Sequence, residues 1–194
     1  MRSLLAIGFT LLSFTLCAQN TNLPYKEIPS QPEAFSAGSV AARMVDGLGF
    51  RFYWATEGLR EIDLKYKPSA DARTSQETIE HIYEMSFIVL NAAIGKENVN
   101  GQDVKLPFAE MRKRTLENLS EASNHFRSLS DAEFSNLKLI FKGGTKSIEL
   151  PLWNLLNGPM SDCIWHVGQV VSFRRSSGNP FSDTVDLFSG TINK

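Results

Sequence analysis

Asp162, His166, Gln169 and Phe173 are separated by four, three and four positions. At about 100° per residue, a helix gathers all four within an arc of about 60°. Val170 and Leu155 fall close to that arc, so this face is expected to look inward. An aspartate, a histidine and a glutamine lose hydration on an apolar face, and something must replace it. A divalent ion would do so, because Asp and His one helical turn apart can share it, as the two histidines of a helical His-Glu-x-x-His segment do. The competing reading is a self-satisfied network, in which Asp162 and His166 pair with each other and Gln169 bonds to the backbone.

A third ligand is available earlier in the chain. His81 sits at the edge of an apolar stripe, with Met85 and Ile88 on the same side. If its ring approaches those of Asp162 and His166, the three form a mixed N and O ligand set with open positions, the pattern of a catalytic site. An ion there acts as a Lewis acid and activates water near neutral pH. Gln169 then belongs around the ligands or against a substrate. A fourth protein ligand, for which Glu84 is the candidate, would close the shell and favour binding without turnover. His125 lies off its helix's apolar stripe and reads as exposed. Cys163, one position past Asp162, reads as a buried inert thiol with nothing cationic to activate it. Trp54 and Trp165 read as core or interface aromatics. Arg174 and Arg175 close a helix where positive charge suits the dipole. The chain has no nucleophile elbow and no phosphate-binding glycine loop, and no catalytic side chain is readable beyond the metal set.

Four helices are expected to position these residues. The first runs from Ser36, with Val40, Met44, Val45, Leu48, Phe52 and Ala55 near one face. The second starts at a capping box, Thr74 with Glu77, and runs to about Ala93 before Gly95. Its stripe is Ile79, Ile82, Ser86, Val89, Leu90 and Ala93. After a turn-rich loop, Asn98 to Asp103, a third helix spans about Pro107 to Leu129, with Phe108, Met111, Thr115, Leu119, Ala122 and Phe126 at helical spacing. Pro107 suits its start, where a missing N–H is harmless. Leu137 to Leu150 changes period around Gly143-Gly144 and fits a small hairpin, although an irregular connection fits the same residues. The fourth helix lies between Leu152 and Arg175 and is interrupted at Asn157-Gly158-Pro159, since Pro159 cannot donate a helical hydrogen bond.

The start of the chain reads as an address. Arg2 precedes an apolar run from Leu4 to Leu16, too short to span a bilayer, with Ala18 as a cleavage point; residues 1–18 are therefore a signal peptide. A lipid anchor on Cys17 is the weaker alternative, because Leu16 is not the small residue such signals place before the cysteine. The exported product, periplasmic or extracellular, is expected to be soluble and free of the membrane. It begins with a proline-bearing extended lead-in, residues 19–35, followed by a helical domain over 36–180. A tail, 181–194, has Phe181, Val185, Leu187 and Phe188 to pack back on that domain. About 176 residues suffice for one core. Charge is nearly balanced, 20 basic residues against 21 acidic, and no basic stripe points to nucleic acid. Removal of the signal leaves Cys163 alone, so no intramolecular disulfide staples the fold.

The stretch Gly158-Pro159-Met160-Ser161-Asp162-Cys163-Ile164-Trp165-His166-Val167-Gly168-Gln169, continuing to Phe173-Arg174-Arg175 and Gly178, resembles the last helix of the DinB-like superfamily. His81, within Glu80-His81-Ile82-Tyr83-Glu84, resembles that family's first histidine. Order and spacing agree from about Ser36 to Pro180. The resemblance implies an all-α fold, a DinB-like four-helix bundle, with the small hairpin between its third and fourth helices. It implies a divalent metal (zinc, nickel, manganese or iron) on His81, Asp162 and His166. Asp162 stands where the family has a histidine, which favours a harder ion than three imidazoles would. The implied activity is that of a metal-dependent hydrolase or transferase acting on an unknown small molecule; a bundle that binds a metal or small ligand without turnover is the alternative. Export weighs against the family's thiol transferases, whose low-molecular-weight thiols are kept mainly inside cells. Members often pair, so the resemblance also allows a homodimer.

Overall fold

The structure, a computed structural model, describes residues 23–99 and 106–193. The proposed signal peptide, Cys17 and most of the Asn98–Asp103 loop lie outside the described residues. The described chain is mostly helical, and its long helices are α1 (Ala37–Thr56), α3 (Ser75–Ala93), α4 (Phe108–Ser128) and α7 (Ser161–Ser176). Helix α1 packs on α4 and α7, and α3 packs on the same two. Short helices α2 (Glu61–Lys65), α5 (Asp131–Asn136) and α6 (Trp153–Leu155) lie in the connections.

Local chemistry sets the starts and stops. Ser36 caps α1 in a reciprocal box with Ser39, and Thr74 does the same for α3 with Glu77, whose carboxylate accepts from the Thr74 N–H at 2.7 Å. Each box satisfies backbone donors that a helix start leaves free. Helix α4 begins one residue after Pro107. Before α7 the chain kinks over Leu156–Met160, where Gly158 leaves helical geometry (φ −98°, ψ −109°) and Pro159 follows. The interruption expected at Asn157-Gly158-Pro159 is therefore present.

The core draws on all four long helices. Every member of the α3 stripe read from the sequence is buried, and so are Met111, Thr115, Leu119, Ala122 and Phe126 of α4. Helix α1 departs from expectation. Val45, Leu48, Phe52 and Ala55 are buried, but Val40 and Met44 are exposed. The buried face is turned toward the small residues Gly38, Ala41 and Ala42, which bring α1 close against α4. A Cβ on Gly38 would stand only 2.1 Å from the Phe126 carbonyl oxygen.

Strands qualify the all-α expectation. The hairpin is real: β2 (Lys138–Gly143) pairs antiparallel with β3 (Lys146–Pro151), with Gly144 left-handed at φ 58° in the turn. A third strand, β1 (Glu97–Val99), adds parallel to β2, at the start of what the sequence presents as a loop. In the tail, β4 (Val185–Asp186) pairs with β5 (Thr191–Ile192). Of the four apolar tail residues, Val185 is buried, while Leu187 and Phe188 are exposed. The lead-in is more than an extended strap. Tyr25 takes φ 72°, buries its ring over Gly49 and donates its hydroxyl to Asp46 at 3.2 Å. The backbone N–H of Ile28 then donates to the Gly190 carbonyl, joining lead-in and tail. Among the described residues, no helix is long and apolar enough to cross a membrane.

Candidate metal centre

Helices α3 and α7 bring the candidate residues together. On α7 the buried stripe is Cys163, Val167, Val170 and Arg174. Its spacing is also four, three and four, one residue on from Asp162, His166, Gln169 and Phe173. The polar stripe expected to face the core is thus rotated about 100° from the buried centre and lies along the seam with α3. Desolvation accounts for three of the four positions, since an uncharged thiol and two valines lose far less on burial than a carboxylate and an imidazole. The buried Arg174 guanidinium is compensated by backbone carbonyls of α1 and its cap. On α3, His81 precedes fully buried Ile82 and projects from the stripe's edge toward the same seam.

There the three side chains converge. The Nε2 of His81 lies 3.0 Å from Asp162 Oδ2, and the Nε2 of His166 lies 3.5 Å from the same oxygen. The two imidazole rings meet edge to face, with centroids 4.8 Å apart. One ligand atom from each residue can be chosen so that all lie within 4.8 Å of one another. A tetrahedral shell with bonds of about 2.1 Å needs donors about 3.4 Å apart, so this set fits one ion with small side-chain movements. Side-chain exposure is 22 % for His81, 14 % for His166 and 45 % for Asp162, which leaves the carboxylate side open to solvent.

The surroundings distinguish the two histidines. Gln169 Oε1 lies 2.8 Å from His166 Nδ1. A carbonyl oxygen offers only lone pairs, so Nδ1 carries the proton and donates it, leaving the Nε2 lone pair turned toward Asp162. Gln169 therefore orients the His166 ring instead of bonding to backbone. The Oε2 of Glu84 stands 3.8 Å from His81 Nδ1, on the ring nitrogen away from Asp162, and does not join the ligand group. Among the described residues, the site brings together three side chains of metal-binding type and leaves one side exposed.

No family model matches the chain, nor does any curated protein or solved structure. The site rests on its own geometry.

The remaining candidates fall outside it. Cys163 is fully buried, and burial, with the Asp162 charge adding to it, pushes its thiol up to about 12. His125 is exposed, beside a surface depression of about 560 Å³ on α4 lined by Glu117, Glu121 and Asn124. That depression shares no lining residue with the triad, and it contains no second metal-type group among the described residues. Trp165 is 72 % exposed and is no core residue. Arg174 departs most from its expected role. It is buried and donates to the carbonyls of Trp54, Ala55 and Glu57, capping the end of α1 rather than its own helix. Sequence reading missed Asp63, which is fully buried and accepts from Arg60, Ser177 and Asn179. Its only sequence signal is Arg60 three positions before it, a spacing too common to single out.

Proposed function

We propose that this chain is an exported, DinB-like four-helix bundle that holds one divalent ion on His81, Asp162 and His166 and acts on a small molecule as a metal-dependent hydrolase or transferase. The observation that carries this reading is the convergence of three ligand side chains from two helices 81 residues apart on one oxygen-centred cluster. The pairwise packing of α1, α3, α4 and α7 supports a bundle. His81 lies on the second of these long helices and Asp162 and His166 lie on the last, as the resemblance implies.

An ion held there would supply Lewis-acid polarisation of a substrate oxygen. Two imidazoles and a carboxylate are a borderline set, suited to zinc, nickel, manganese or iron. Gln169 holds His166 in the ligating tautomer, and the exposed side at Asp162 gives a substrate access. That open side and the outward position of Glu84 favour turnover over closed-shell binding. The export reading favours hydrolysis over thiol transfer.

Elemental analysis of residues 19–194 beside a His81→Ala/His166→Ala double variant tests the centre. About one ion per chain is expected, lost in a double variant whose far-ultraviolet circular dichroism is unchanged. No ion in either protein after loading and dialysis would leave Asp162 as a simple ion-pair partner of the histidines and end the metal reading.

A further inference from the structure

The polar stripe of α7 continues past the ligands to Phe173, seven residues beyond His166, or roughly 10 Å along the helix. Phe173 does not enter the core. It is half-buried against Tyr66, which arrives from the connection between α2 and α3, with ring centroids 5.9 Å apart and planes tilted by 51°. Neither ring belongs to the main hydrophobic cluster or packs against it. Two aromatic side chains thus cover each other on the surface, on the ligand-bearing face of α7. On the solvent side of that face stands the exposed indole of Trp165, turned about 60° from Asp162 on the helical wheel. Gln169, between ligands and aromatics, already spends its carbonyl oxygen on His166.

This layout is lopsided. The polar end can engage an oxygen-rich head through an ion, while the rest of the stripe offers ring faces and no charged side chain. Surface aromatics that neither complete a core nor pair with charge are the usual means of gripping an apolar group. We propose that the α3–α7 seam binds an elongated substrate whose metal-binding polar head sits at His81, Asp162 and His166 and whose apolar or aromatic tail lies on Phe173 and Tyr66. This rests on the metal-centre reading and adds the substrate class to it.

The test uses two probes on the zinc-loaded chain, residues 19–194, by isothermal calorimetry. Acetohydroxamate reports the head alone, and 6-phenylhexanohydroxamate adds a phenyl group at about the distance of Phe173. The longer probe is expected to bind at least about ten-fold tighter than the shorter, about 1.4 kcal/mol. In Phe173→Ala and Tyr66→Ala that ratio, taken within each variant, is expected to fall to about two- to three-fold, a loss in keeping with a lost ring contact. Phe173→Leu, which keeps bulk, provides the same comparison if the alanine variant does not fold. A ratio near one in the unsubstituted chain, or a ratio that survives every substitution, would overturn the tail subsite while leaving the metal centre standing. A chain that takes up no zinc overturns the metal reading itself, and the subsite with it.

Discussion

Gln169 determines how His166 presents itself. A neutral imidazole has one protonated nitrogen, and the 2.8 Å contact with a carbonyl oxygen assigns that proton to Nδ1. Gln169→Leu removes the acceptor while keeping the bulk, so the ring can turn or change tautomer. The affinity for zinc is expected to drop about 10- to 100-fold, the usual effect of losing a group that orients a ligand. Gln169→Glu, which keeps an acceptor, should stay near the original value. Chelator competition reads both without any substrate. Equal affinity in the leucine variant would mean that Gln169 has no part in orienting the ring. Cys163 shows the opposite case at the same scale. It lies next to a ligand in sequence, but its neighbours are apolar and its thiol stays protonated at any physiological pH.

At the scale of the element, α7 is anchored from both sides by charge buried with partners. Its Arg174 guanidinium closes α1 by satisfying three terminal carbonyls, which would otherwise be left without donors. Just past its last turn, Ser177 and Asn179 donate to Asp63, which the Arg60 guanidinium also grips. Those hydrogen bonds, Arg60's above all, hold the Asp63 carboxyl well below the usual carboxylate range. A depressed folded-state pKa stabilises the protein above the unfolded value of about 3.9, and that stability is lost as pH falls through the folded value. Asp63→Asn is therefore expected to cost about 2–3 kcal/mol at pH 7. Its deficit should shrink steadily below about pH 4, where the unfolded chain takes up a proton that the folded carboxylate still refuses, and level off once the folded carboxylate is protonated as well. Thermal unfolding of both chains from pH 2 to pH 7 measures this; a deficit independent of pH would remove the carboxylate's charge from the account.

At the scale of the whole molecule, α1 and α4 pack closely against each other. Gly38 permits it, because a side chain there would meet the Phe126 carbonyl on the facing backbone, which cannot turn aside. Gly38→Ala should cost about 2–3 kcal/mol despite alanine's better helix propensity, since the helices must part. Urea unfolding gives the number, and a gain in stability would show that the crossing is not tight. At the other edge of α1, Tyr25 seats over Gly49 and reaches Asp46, which also accepts from Ser123 and Arg127 of α4. Lead-in, first helix and third long helix share that buried carboxylate, so the segment before α1 is part of the folded body.

Much of this was legible in the linear chain, and the reason is periodicity. The α3 stripe repeats over about four turns and the α4 stripe over about five, the Thr74 and Glu77 box marks a start, and Pro159 forces an interruption wherever the helix lies. The types and spacing of Asp162 and His166 marked a candidate pair on one helix face, and His81 stood at the edge of a stripe that could meet them. Other features depended on partners distant in sequence. The α7 ligand face and its buried face have the same four-three-four spacing, so only packing against α3 and α1 decided which was submerged. Val40 and Met44 lost their expected burial because Gly38, Ala41 and Ala42 let α4 come closer on the other side. Residues 97–99 became a strand because β2 offered an edge to pair with, and Arg174 became a cap because the end of α1 needed donors. Sequence alone determined the four long helices, their order and the chemical types of the clustered side chains, since these follow from local propensity and spacing. The rotation of each helix, the partners of its buried charges and the meeting of His81 with Asp162 across 81 residues were decided by the tertiary structure, because desolvation and close packing are settled only when faces meet.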